Sequence, residues 1–259
     1  MEIHPAAQVS EKVKIGRNVV IGPFAMIEDD VEIGDDSIIH THAVIRNFVK
    51  MGANNIVFPH AVIGETPQDV TFDPKLKSHI IIGHHNVFRE GVTIHRPTVA
   101  DAATLIGSDC YFMNNSHVAH DCHVGDGSIF ASCATLGGFV EVGEKVFFGG
   151  GVMVHQFCRI GSLAIVAGVT AVRKDVLPFS VIAGDPARHY KINSIGLRRA
   201  GITGDRYNAI SQAFRCLRYG KSLEGLPKTP EIEYLFEWLA AESNRGISGF
   251  IRIQHASLS

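Results

Sequence analysis

Apolar residues recur at every sixth position along most of the chain. One series runs from Ile3 to Ile63, and a second series, in a shifted register, runs from Ile82 to Val172. A period of six fits neither a helix, which repeats every 3.6 residues, nor a plain alternating strand. It fits a three-sided parallel β-helix, in which each hexapeptide forms one short strand and one corner and three hexapeptides complete a coil of about 18 residues. The pattern therefore predicts a prism whose apolar residues point inward and stack coil upon coil.

Glycine often follows the inward apolar residue, as at Gly16 and Gly22. We expect these glycines at the corners of the coil, where their freedom to take a positive φ angle is useful. The periodicity stops near Pro178, and the chain beyond it has helical spacing. The sequence thus predicts a left-handed parallel β-helix of hexapeptide repeats over residues 1–186 and a C-terminal α-helical domain over residues 187–259.

Two segments interrupt the repeat. The register shift places an insertion at Glu65–Ser78, which contains two prolines and little periodicity. The segment Pro97–Thr104 keeps the register but lacks the apolar marks, so a second, smaller excursion is expected there. Both segments should leave the prism as loops, and loops on a rigid scaffold are where binding residues concentrate.

The C-terminal segment carries signals of helix ends. Asn193 is expected as an N-cap, and Gly201 as the residue that ends the same helix in a left-handed conformation. Apolar residues at helical spacing predict two longer helices, Thr203–Tyr219 and Glu231–Ala241. Pro230 suits the first turn of the last helix, because a backbone N–H is not needed there. We expect these helices to cover one end of the prism.

Composition narrows the class of protein without indicating its chemistry. The 259 residues are 46% hydrophobic and carry a formal net charge of -2, so a general attraction to nucleic acid or to an acidic membrane is not expected. The five cysteines form no C-x-x-C pair, which argues against a disulfide framework and fits a reducing cytosol. The N-terminus lacks a secretory signal pattern, and no apolar run has the ~18 residues of a membrane span. We expect a cytoplasmic protein.

The faces of the predicted prism carry aromatic and histidine side chains, and the chain has 14 histidines in all. Packing such faces around a common axis would bury them, and three-sided objects pack well as trimers. We therefore expect a homotrimer.

The densest cluster of chemical groups is Ser116–Val124, read as S-H-V-A-H-D-C-H-V. Residues 18 apart should lie on the same face in neighbouring coils, which places His120 beside Gly138. A histidine beside a bare glycine backbone can accept a proton while the glycine N–H approaches a developing oxyanion. We expect His120 to act as a general base with Asp121 as its orienting partner. A single histidine in such a fold is more often structural, and we expect this of His123.

Other chemistries stay open on these residues alone. Trimeric prisms can hold zinc between subunits, as γ-class carbonic anhydrases do, and His117 and His120 with His155 from a neighbouring copy could supply the ligands. A serine hydrolase is disfavoured, because no serine has a G-x-S-x-G context. No Walker loop or dinucleotide fingerprint is present, so no cofactor is expected. A third alternative is a non-catalytic trimeric scaffold that binds a nucleotide sugar or a carrier protein.

Five motifs, in order along the chain, resemble those of one enzyme family. They are G-E-T-P-Q-D at Gly64–Asp69, T-I-H-R at Thr93–Arg96, H-V-A-H-D-C at His117–Cys122, V-H-Q-F-C at Val154–Cys158 and G-L-R-R-A-G at Gly196–Gly201. Together they resemble the cytoplasmic acyl-[acyl-carrier-protein]–UDP-N-acetylglucosamine O-acyltransferases, the first enzymes of lipid A biosynthesis. The resemblance covers nearly the whole chain. It implies transfer of a 3-hydroxyacyl group from acyl carrier protein to the 3-hydroxyl of UDP-N-acetylglucosamine.

The resemblance also implies a role for each matching residue. His120 matches the catalytic base, Asp121 the carboxylate that orients it, and the backbone N–H of Gly138 the oxyanion donor. The implied substrate-binding residues are Gln68 and Asp69 for the sugar, His117, His155 and Gln156 for the sugar and acyl pocket, Asn193 and Arg199 for the nucleotide, and Gly168 near the end of the acyl groove. His95 is a further candidate for substrate binding.

Three positions depart from the family pattern. Many members have a histidine where this chain has Phe139, a lysine where it has Thr71 and a second arginine where it has Ala200. The first change removes a polar contact from the site wall, and the other two remove positive charges from the expected nucleotide-sugar site. Because a few members acylate a 3-amino version of the sugar, N-acylation of that analogue is the alternative reaction.

The implied mechanism is direct transfer without a covalent acyl-enzyme. Cys122 and Cys133 are the nearest candidates for a covalent route, and we expect both to be small core residues. Acyl carrier protein is acidic, so basic residues of the tail are expected to dock it, and salt should weaken that binding. These residues are Arg188, Lys191, Arg198, Arg215 and Arg218.

Overall fold

The structure, a computed structural model, describes residues 1–251, and in them the hexapeptides form short strands arranged in three sheets. Sheet 1 contains, in spatial order, β1 (Glu2–Ile3), β4 (Val20–Ile21), β7 (Ile38–Ile39), β10 (Ile56–Val57), β13 (Val87–Phe88), β16 (Tyr111–Phe112), β19 (Ile129–Phe130), β22 (Phe147–Phe148), β25 (Ile165–Val166), β27 (Ser180–Ala183) and β28 (Arg188–Ile192). Sheet 2 contains β2 (Gln8–Val9), β5 (Met26–Ile27), β8 (Val44–Ile45), β11 (Val62–Glu65), β14 (Thr93–His95), β17 (His117–Val118), β20 (Thr135–Leu136), β23 (Met153–Val154) and β26 (Ala171–Val172). Sheet 3 contains β3 (Lys14–Ile15), β6 (Glu32–Ile33), β9 (Val49–Met51), β12 (His79–Ile82), β15 (Ala103–Ile106), β18 (His123–Val124), β21 (Glu141–Val142) and β24 (Arg159–Ile160). Pairing is parallel throughout, except between β27 and β28, and the fold is the predicted left-handed parallel β-helix.

The strand register shows where the chain leaves the prism. Ile63 pairs with Ile94, because residues 66–78 lie outside the ladder between β11 and β12. Ile94 pairs with Val118, because residues 96–102 lie outside it between β14 and β15. The first interruption does not add a multiple of six residues, so the register shifts, whereas the second adds one hexapeptide and keeps it. The second excursion is shorter than the predicted Pro97–Thr104, because its last two residues belong to β15.

The inward apolar residues form one continuous buried column. At its centre four fully buried phenylalanines, Phe88, Phe112, Phe130 and Phe148, stack in successive coils with ring centroids 5.1, 4.7 and 4.5 Å apart. Such offset aromatic stacking adds to the free energy gained by removing the rings from water. The column is therefore the apolar centre of the coils that carry the polar corners.

The glycines that follow the inward residues have a different role from the predicted one. A positive φ angle occurs two residues later, at corner positions that are mostly not glycine, such as Phe24 (φ 59°) and Asp121 (φ 59°). Gly22 itself is not in the left-handed region. A methyl group on Gly22 would lie 2.9 Å from the backbone nitrogen of Thr41 in the next coil. The expectation of positive φ was wrong for these glycines, because what they supply is room for close approach of two backbones.

The chain leaves the prism through a hairpin and three helices. β27 pairs in parallel with β25 and antiparallel with β28, so the predicted domain boundary at residue 187 falls inside this hairpin. The helices are α1 (Ser194–Arg199), α2 (Gly204–Arg218) and α3 (Pro230–Ala240). No helix within residues 1–251 is long and apolar enough to cross a membrane. Residues 252–259 of the predicted C-terminal domain lie outside the described residues.

Both predicted ends of the first helix are present. Asn193 Oδ1 accepts a hydrogen bond from the Gly196 N–H at 2.9 Å, and Gly201 has φ 75°. Apolar side chains of the three helices pack against the end of the prism. This second cluster contains Leu177, Phe179, Leu197, Ile202, Ala209, Ile210, Ala213, Phe214, Ile232 and Leu235. The helices thus cover the last coil, as predicted.

His189, in β28, is buried without a partner for one of its ring nitrogens. Nε2 accepts a hydrogen bond from the Leu177 N–H at 3.0 Å, so the ring hydrogen is on Nδ1, which contacts no acceptor within residues 1–251. Burial lowers the pKa of His189 to about 4. The folded protein therefore holds this imidazole neutral at pH values where an exposed histidine is charged.

Stability should consequently fall on acidification. Between an unfolded-state pKa of about 6.5 and the folded-state value, the unfolded chain binds a proton that the folded chain excludes, which costs about 2 kcal/mol at pH 5. The variant His189→Gln keeps an acceptor for Leu177 but does not titrate. Urea unfolding at pH 7.5 and pH 5 should show about 2 kcal/mol less acid destabilisation in the variant than in the wild type. Equal losses in the two proteins would contradict this role for His189.

Candidate active site

The predicted site lies at the corner of the prism between sheets 2 and 3. Val118 ends β17 with its side chain in the core, and Cys122 returns to the core after the turn. His120 and Asp121 form the turn between them. Asp121 takes the left-handed conformation (φ 59°), which aspartate tolerates better than most side chains. The hexapeptide repeat therefore anchors the residues on either side and leaves the imidazole and the carboxylate outside the core.

His120 lies directly against Gly138 in the next coil, as the spacing predicted. A methyl group on Gly138 would lie 2.6 Å from Nε2 of His120. The backbone of this coil is tied to the first, since the Phe139 N–H donates to the His120 carbonyl at 3.0 Å. The Gly138 N–H itself donates to no acceptor in the part of the chain that the structure describes. An imidazole and a free backbone donor thus stand side by side with no side chain between them.

Asp121 holds the imidazole by its other nitrogen. His120 Nδ1 donates to Oδ2 of Asp121 at 2.8 Å, and the side chains are 16% and 7% exposed. A carboxylate accepts hydrogen bonds only, so the hydrogen sits on Nδ1 and Nε2 carries the free lone pair. The pair can therefore present a base at Nε2 beside the Gly138 backbone.

Two threonines in or beside the second excursion also contact Asp121, and the sequence prediction missed both. The Thr98 N–H and hydroxyl donate to Asp121 Oδ2 at 2.9 and 2.8 Å. The Asp121 N–H donates to Thr104 Oγ1 at 3.0 Å. The sequence offered one signal for these contacts. The second excursion lengthens the coil that precedes the histidine cluster by one hexapeptide.

His117 and His95 form a pair of neutral imidazoles beside the base. His117 Nδ1 is hydrogen-bonded to Thr93 Oγ1 at 2.7 Å, and its ring lies edge-on to that of His95 at 4.8 Å. Burial, and then the neighbouring His117, lowers the pKa of His95 to about 4. Burial, and then His120, lowers the pKa of His117. His95 is only 4% exposed, so in a single chain its side chain is almost completely buried.

The first insertion places Asp69 near the base. The N–H and hydroxyl of Thr71 donate to Asp69 Oδ1 at 2.8 and 2.7 Å and lower the pKa of that carboxyl. His120 makes a smaller contribution in the same direction. Gln68 is exposed on the same loop. Thr71, where relatives often have lysine, therefore serves here to hold the carboxylate of the insertion.

The coil after that of Gly137 and Gly138 adds His155 and Gln156, which are both exposed. A methyl group on Gly137 would lie 2.8 Å from the Gln156 nitrogen, so this part of the chain lies beside the glycine pair. His155 Nδ1 is 3.2 Å from the Gln156 carbonyl oxygen. These side chains are free to contact a substrate next to Gly138.

An aromatic wall stands on the other side of the base. The ring of Phe139 lies edge-on to His120 at 5.3 Å and stacks on Phe157 at 4.9 Å. The equivalent corner position in three successive coils is therefore occupied by one carboxylate, that of Asp121, and then by two phenyl rings. The predicted loss of a polar contact at Phe139 is accompanied by an apolar contact with the imidazole.

The remaining predicted residues lie apart from the histidine cluster within one chain. Gly168 is exposed on the corner between sheets 1 and 2, at the opposite edge of sheet 2. Asn193 and Arg199 line a cavity of about 510 Å³ on the outside of sheet 1. The Asn193 amide is already engaged, because Nδ2 also donates to the Leu163 carbonyl at 2.8 Å. Lys145, which sequence reasoning missed, lines the same cavity.

The two cysteines near the site differ in their surroundings. Cys122 is completely buried, and burial raises the pKa of its thiol to about 12. Cys133 is exposed, so its assignment to the core was wrong. It occupies the positive-φ corner position (φ 61°), whose side chain points away from the core. Among residues 1–251 of one chain, no three histidine, cysteine or acidic side chains converge as a metal site.

Family models match both parts of the chain. The model described as "Udp N-acetylglucosamine O-acyltransferase; Domain 2" matches residues 175–248. The model for the bacterial transferase hexapeptide (six repeats) matches residues 12–47 and 103–138.

Relatives in sequence carry one description, acyl-[acyl-carrier-protein]–UDP-N-acetylglucosamine O-acyltransferase. The protein of Anaeromyxobacter sp. (strain Fw109-5) is 43% identical over 59% of this chain, and the match spans 60% of that protein's length. The protein of Alkalilimnicola ehrlichii is 39% identical over 71% of this chain and 75% of its own length.

Solved structures extend the similarity over both domains. LpxA of Acinetobacter baumannii superposes with a TM-score of 0.90 at 35% identity, covering 95% of this chain and 99% of that one. The UDP-N-acetylglucosamine acyltransferase of Campylobacter jejuni gives a TM-score of 0.90 at 31% identity and is covered in full. Because the similarity in sequence and in structure extends over both the prism and the helical end, this protein belongs to the acyl-[acyl-carrier-protein]–UDP-N-acetylglucosamine O-acyltransferase family.

Proposed function

We propose that the protein transfers a 3-hydroxyacyl group from acyl carrier protein to the 3-position of UDP-N-acetylglucosamine, the first step of lipid A biosynthesis. The observation that carries this proposal is the placement of His120 between the carboxylate of Asp121 and the bare backbone of Gly138. That arrangement offers a proton acceptor and an oxyanion donor at one point, which is what acyl transfer from a thioester needs.

The reaction follows from the free groups at that corner. Nε2 of His120 removes the proton of the sugar 3-hydroxyl as its oxygen attacks the thioester carbonyl. The Gly138 N–H stabilises the negative charge on the carbonyl oxygen. Collapse of the tetrahedral intermediate breaks the carbon–sulfur bond, and the imidazolium gives its proton to the departing thiolate. The free thiol of the carrier and the acylated sugar are the products, with no covalent acyl-enzyme.

The nearby cysteines support the direct route. A thiol attacks as its thiolate, and the buried Cys122 thiol is almost entirely protonated at neutral pH. Cys133 is exposed on the corner between sheets 1 and 2 and therefore not at the histidine corner. Neither residue offers a nucleophile beside Gly138.

The acceptor side of the proposal rests on two groups of residues, one for the sugar and one for the nucleotide. Gln68 and Asp69 are assigned to the sugar, and Arg199 to the nucleotide phosphates, because a guanidinium pairs well with phosphate oxygens. Lys145 lines the same cavity as Arg199 and supplies a positive charge there, whereas Ala200 stands where many family members have a second arginine. The alternative acceptor is the 3-amino analogue of the sugar, which the departures at Phe139, Thr71 and Ala200 keep open. Gly168 is assigned to the end of the acyl groove.

A homotrimer is part of the proposal. The outer faces of sheets 1 and 2 expose large apolar side chains, such as Phe147 (38% exposed) and Met153 (60% exposed). The outer face of sheet 3 begins with an ion-pair ladder, in which Lys14 and Lys50 lie 3.1 and 3.6 Å from Glu32, and exposes Ile81 and Leu105 farther along. Packing around a threefold axis would bury sheets 1 and 2 and leave sheet 3 in water. The histidine corner would then lie at the rim of an interface, where a neighbouring copy can complete the groove.

Acyl carrier protein is proposed to dock on the helical end of the molecule, in the cytoplasm. A cavity of about 430 Å³ between β28 and α2 is lined by Lys191, Arg215 and Arg218 together with three tyrosines. Arg215 forms no ion pair within residues 1–251. An acidic partner would find an unneutralised surface there.

The direct test of the proposed function is an acyl-transfer assay with purified protein. Hydroxyacyl carrier protein is offered with UDP-N-acetylglucosamine or its 3-amino analogue, and the product mass is measured. We expect sugar-dependent transfer, and His120→Ala should lower kcat by about 10²- to 10⁴-fold, as is typical for loss of a general base. His123→Ala, an exposed histidine on sheet 3, should keep near-normal kcat. A His120→Ala variant with near-normal kcat would overturn the assignment of the base.

Docking should depend on charge. Raising the salt concentration from about 50 mM to about 500 mM should weaken the binding of acyl carrier protein, because salt screens exposed charges. Arg215→Glu should raise Kd roughly 3- to 10-fold at low salt. Lys14→Glu, the same charge reversal at the far end of the prism, serves as the control. If titration calorimetry gives equal Kd values for the two variants, the docking site is elsewhere.

A further inference from the structure

The second excursion makes a specific contact with the predicted orienting carboxylate. Residues 96–102 leave the ladder between β14 and β15, and Thr98 returns to the corner of the next coil. Its N–H and hydroxyl donate to Asp121 Oδ2 at 2.9 and 2.8 Å. The same oxygen accepts the hydrogen bond from His120 Nδ1 at 2.8 Å. Three donors therefore converge on one carboxylate oxygen.

Strand β15, which follows the excursion, holds the backbone of Asp121. Thr104 Oγ1 accepts from the Asp121 N–H at 3.0 Å and donates to the His95 carbonyl at 2.9 Å. The excursion and the strand that follows it thus fix Asp121 at both its carboxylate and its main chain. A carboxylate held by one donor can rotate about its last bond, whereas one held by three donors cannot do so without losing hydrogen bonds.

The corner itself does not need this support. Phe139 and Phe157 occupy the equivalent corner position in the next two coils, with φ angles of 60° and 65° against 59° at Asp121. Their side chains have no polar group, yet the backbone turns in the same way. The contacts of Thr98 therefore act on the direction of the carboxylate and, through it, on the imidazole.

We propose that Thr98 is a positioning residue that fixes the Asp121 carboxylate and thereby holds the His120 imidazole against the Gly138 backbone. This inference rests on the proposed function, in which Nε2 of His120 must meet the acceptor hydroxyl. Small displacements of a catalytic group cost a large part of the rate, because proton transfer and attack need close, aligned contacts. Among these groups Thr98 forms hydrogen bonds with Asp121.

The test compares three variants in the acyl-transfer assay. Thr98→Val removes the hydroxyl and keeps the shape, Thr98→Ser keeps the hydroxyl, and Val99→Thr makes the reverse exchange at the next position, whose side chain is exposed. We expect Thr98→Val to lower kcat by roughly 10- to 100-fold with little change in KM, since a hydrogen bond to a charged group is lost. Thr98→Ser should have a kcat within a few-fold of the wild-type value, and Val99→Thr should have the wild-type kcat.

Two results would overturn the inference. One is a Thr98→Val enzyme with wild-type kcat, and the other is a loss of kcat that Thr98→Ser or Val99→Thr shares, which would indicate a general disturbance of the loop. His120→Ala in the same assay separates this inference from the proposed function. An inactive His120→Ala beside an unaffected Thr98→Val removes only the role of Thr98, whereas an active His120→Ala removes the base.

A crystallographic comparison decides the matter even if the wild type transfers no acyl group. The inference requires that His120 and Asp121 move or become mobile in Thr98→Val and keep their wild-type positions in Thr98→Ser. An imidazole that stays in place against Gly138 in Thr98→Val would contradict it.

Discussion

The close approach of consecutive coils is the constraint on which the rest of the structure depends. Parallel hydrogen bonds join each corner to the next, as from the Phe139 N–H to the His120 carbonyl at 3.0 Å. A Cβ atom would meet close neighbours at several glycines, and Gly22 and Gly138 are two of them. The atoms that lie beside each glycine determine whether that position can take part in catalysis. At Gly22 these neighbours are backbone atoms of the next coil. At Gly138 they are atoms of the His120 imidazole, so the contact between two consecutive coils forms the candidate active site.

The segments that break the repeat supply polar groups around the base. The intact coils supply a rigid frame with an apolar centre, and their corners accept aspartate and phenylalanine alike. The two interruptions add polar groups that the hexapeptide pattern lacks. Residues 66–78 bring Asp69 toward the base, and residues 96–102 bring Thr98 to the carboxylate of Asp121. A regular scaffold positions the base, and irregular segments adjust what surrounds it.

Much of this could be predicted from the sequence, because the period of six fixes which residues meet. The apposition of His120 and Gly138 follows from a coil of 18 residues, and the cap at Asn193 follows from its side chain. Thr98 could not be predicted, since its excursion lies outside the repeat and spacing says nothing of where its hydroxyl points. The role of the glycines was misjudged because both positive φ and close approach favour glycine, and only the structure separates them. Cys133 was misplaced for a related reason, since small residues suit corners as well as cores.

The central claim is that the imidazole of His120 works because it lies against a bare backbone one coil away. Gly138 is not in the left-handed region, so alanine is compatible with its backbone, and a methyl group there would lie 2.6 Å from Nε2 of His120. The most direct measurement is kcat for Gly138→Ala beside Gly150→Ala, where the added methyl would lie 3.4 Å from the nearest atom, the Ser132 carbonyl oxygen. The account predicts a loss of about 100-fold or more for Gly138→Ala and near-normal kcat for Gly150→Ala. Equal and near-normal kcat values for both variants would contradict it.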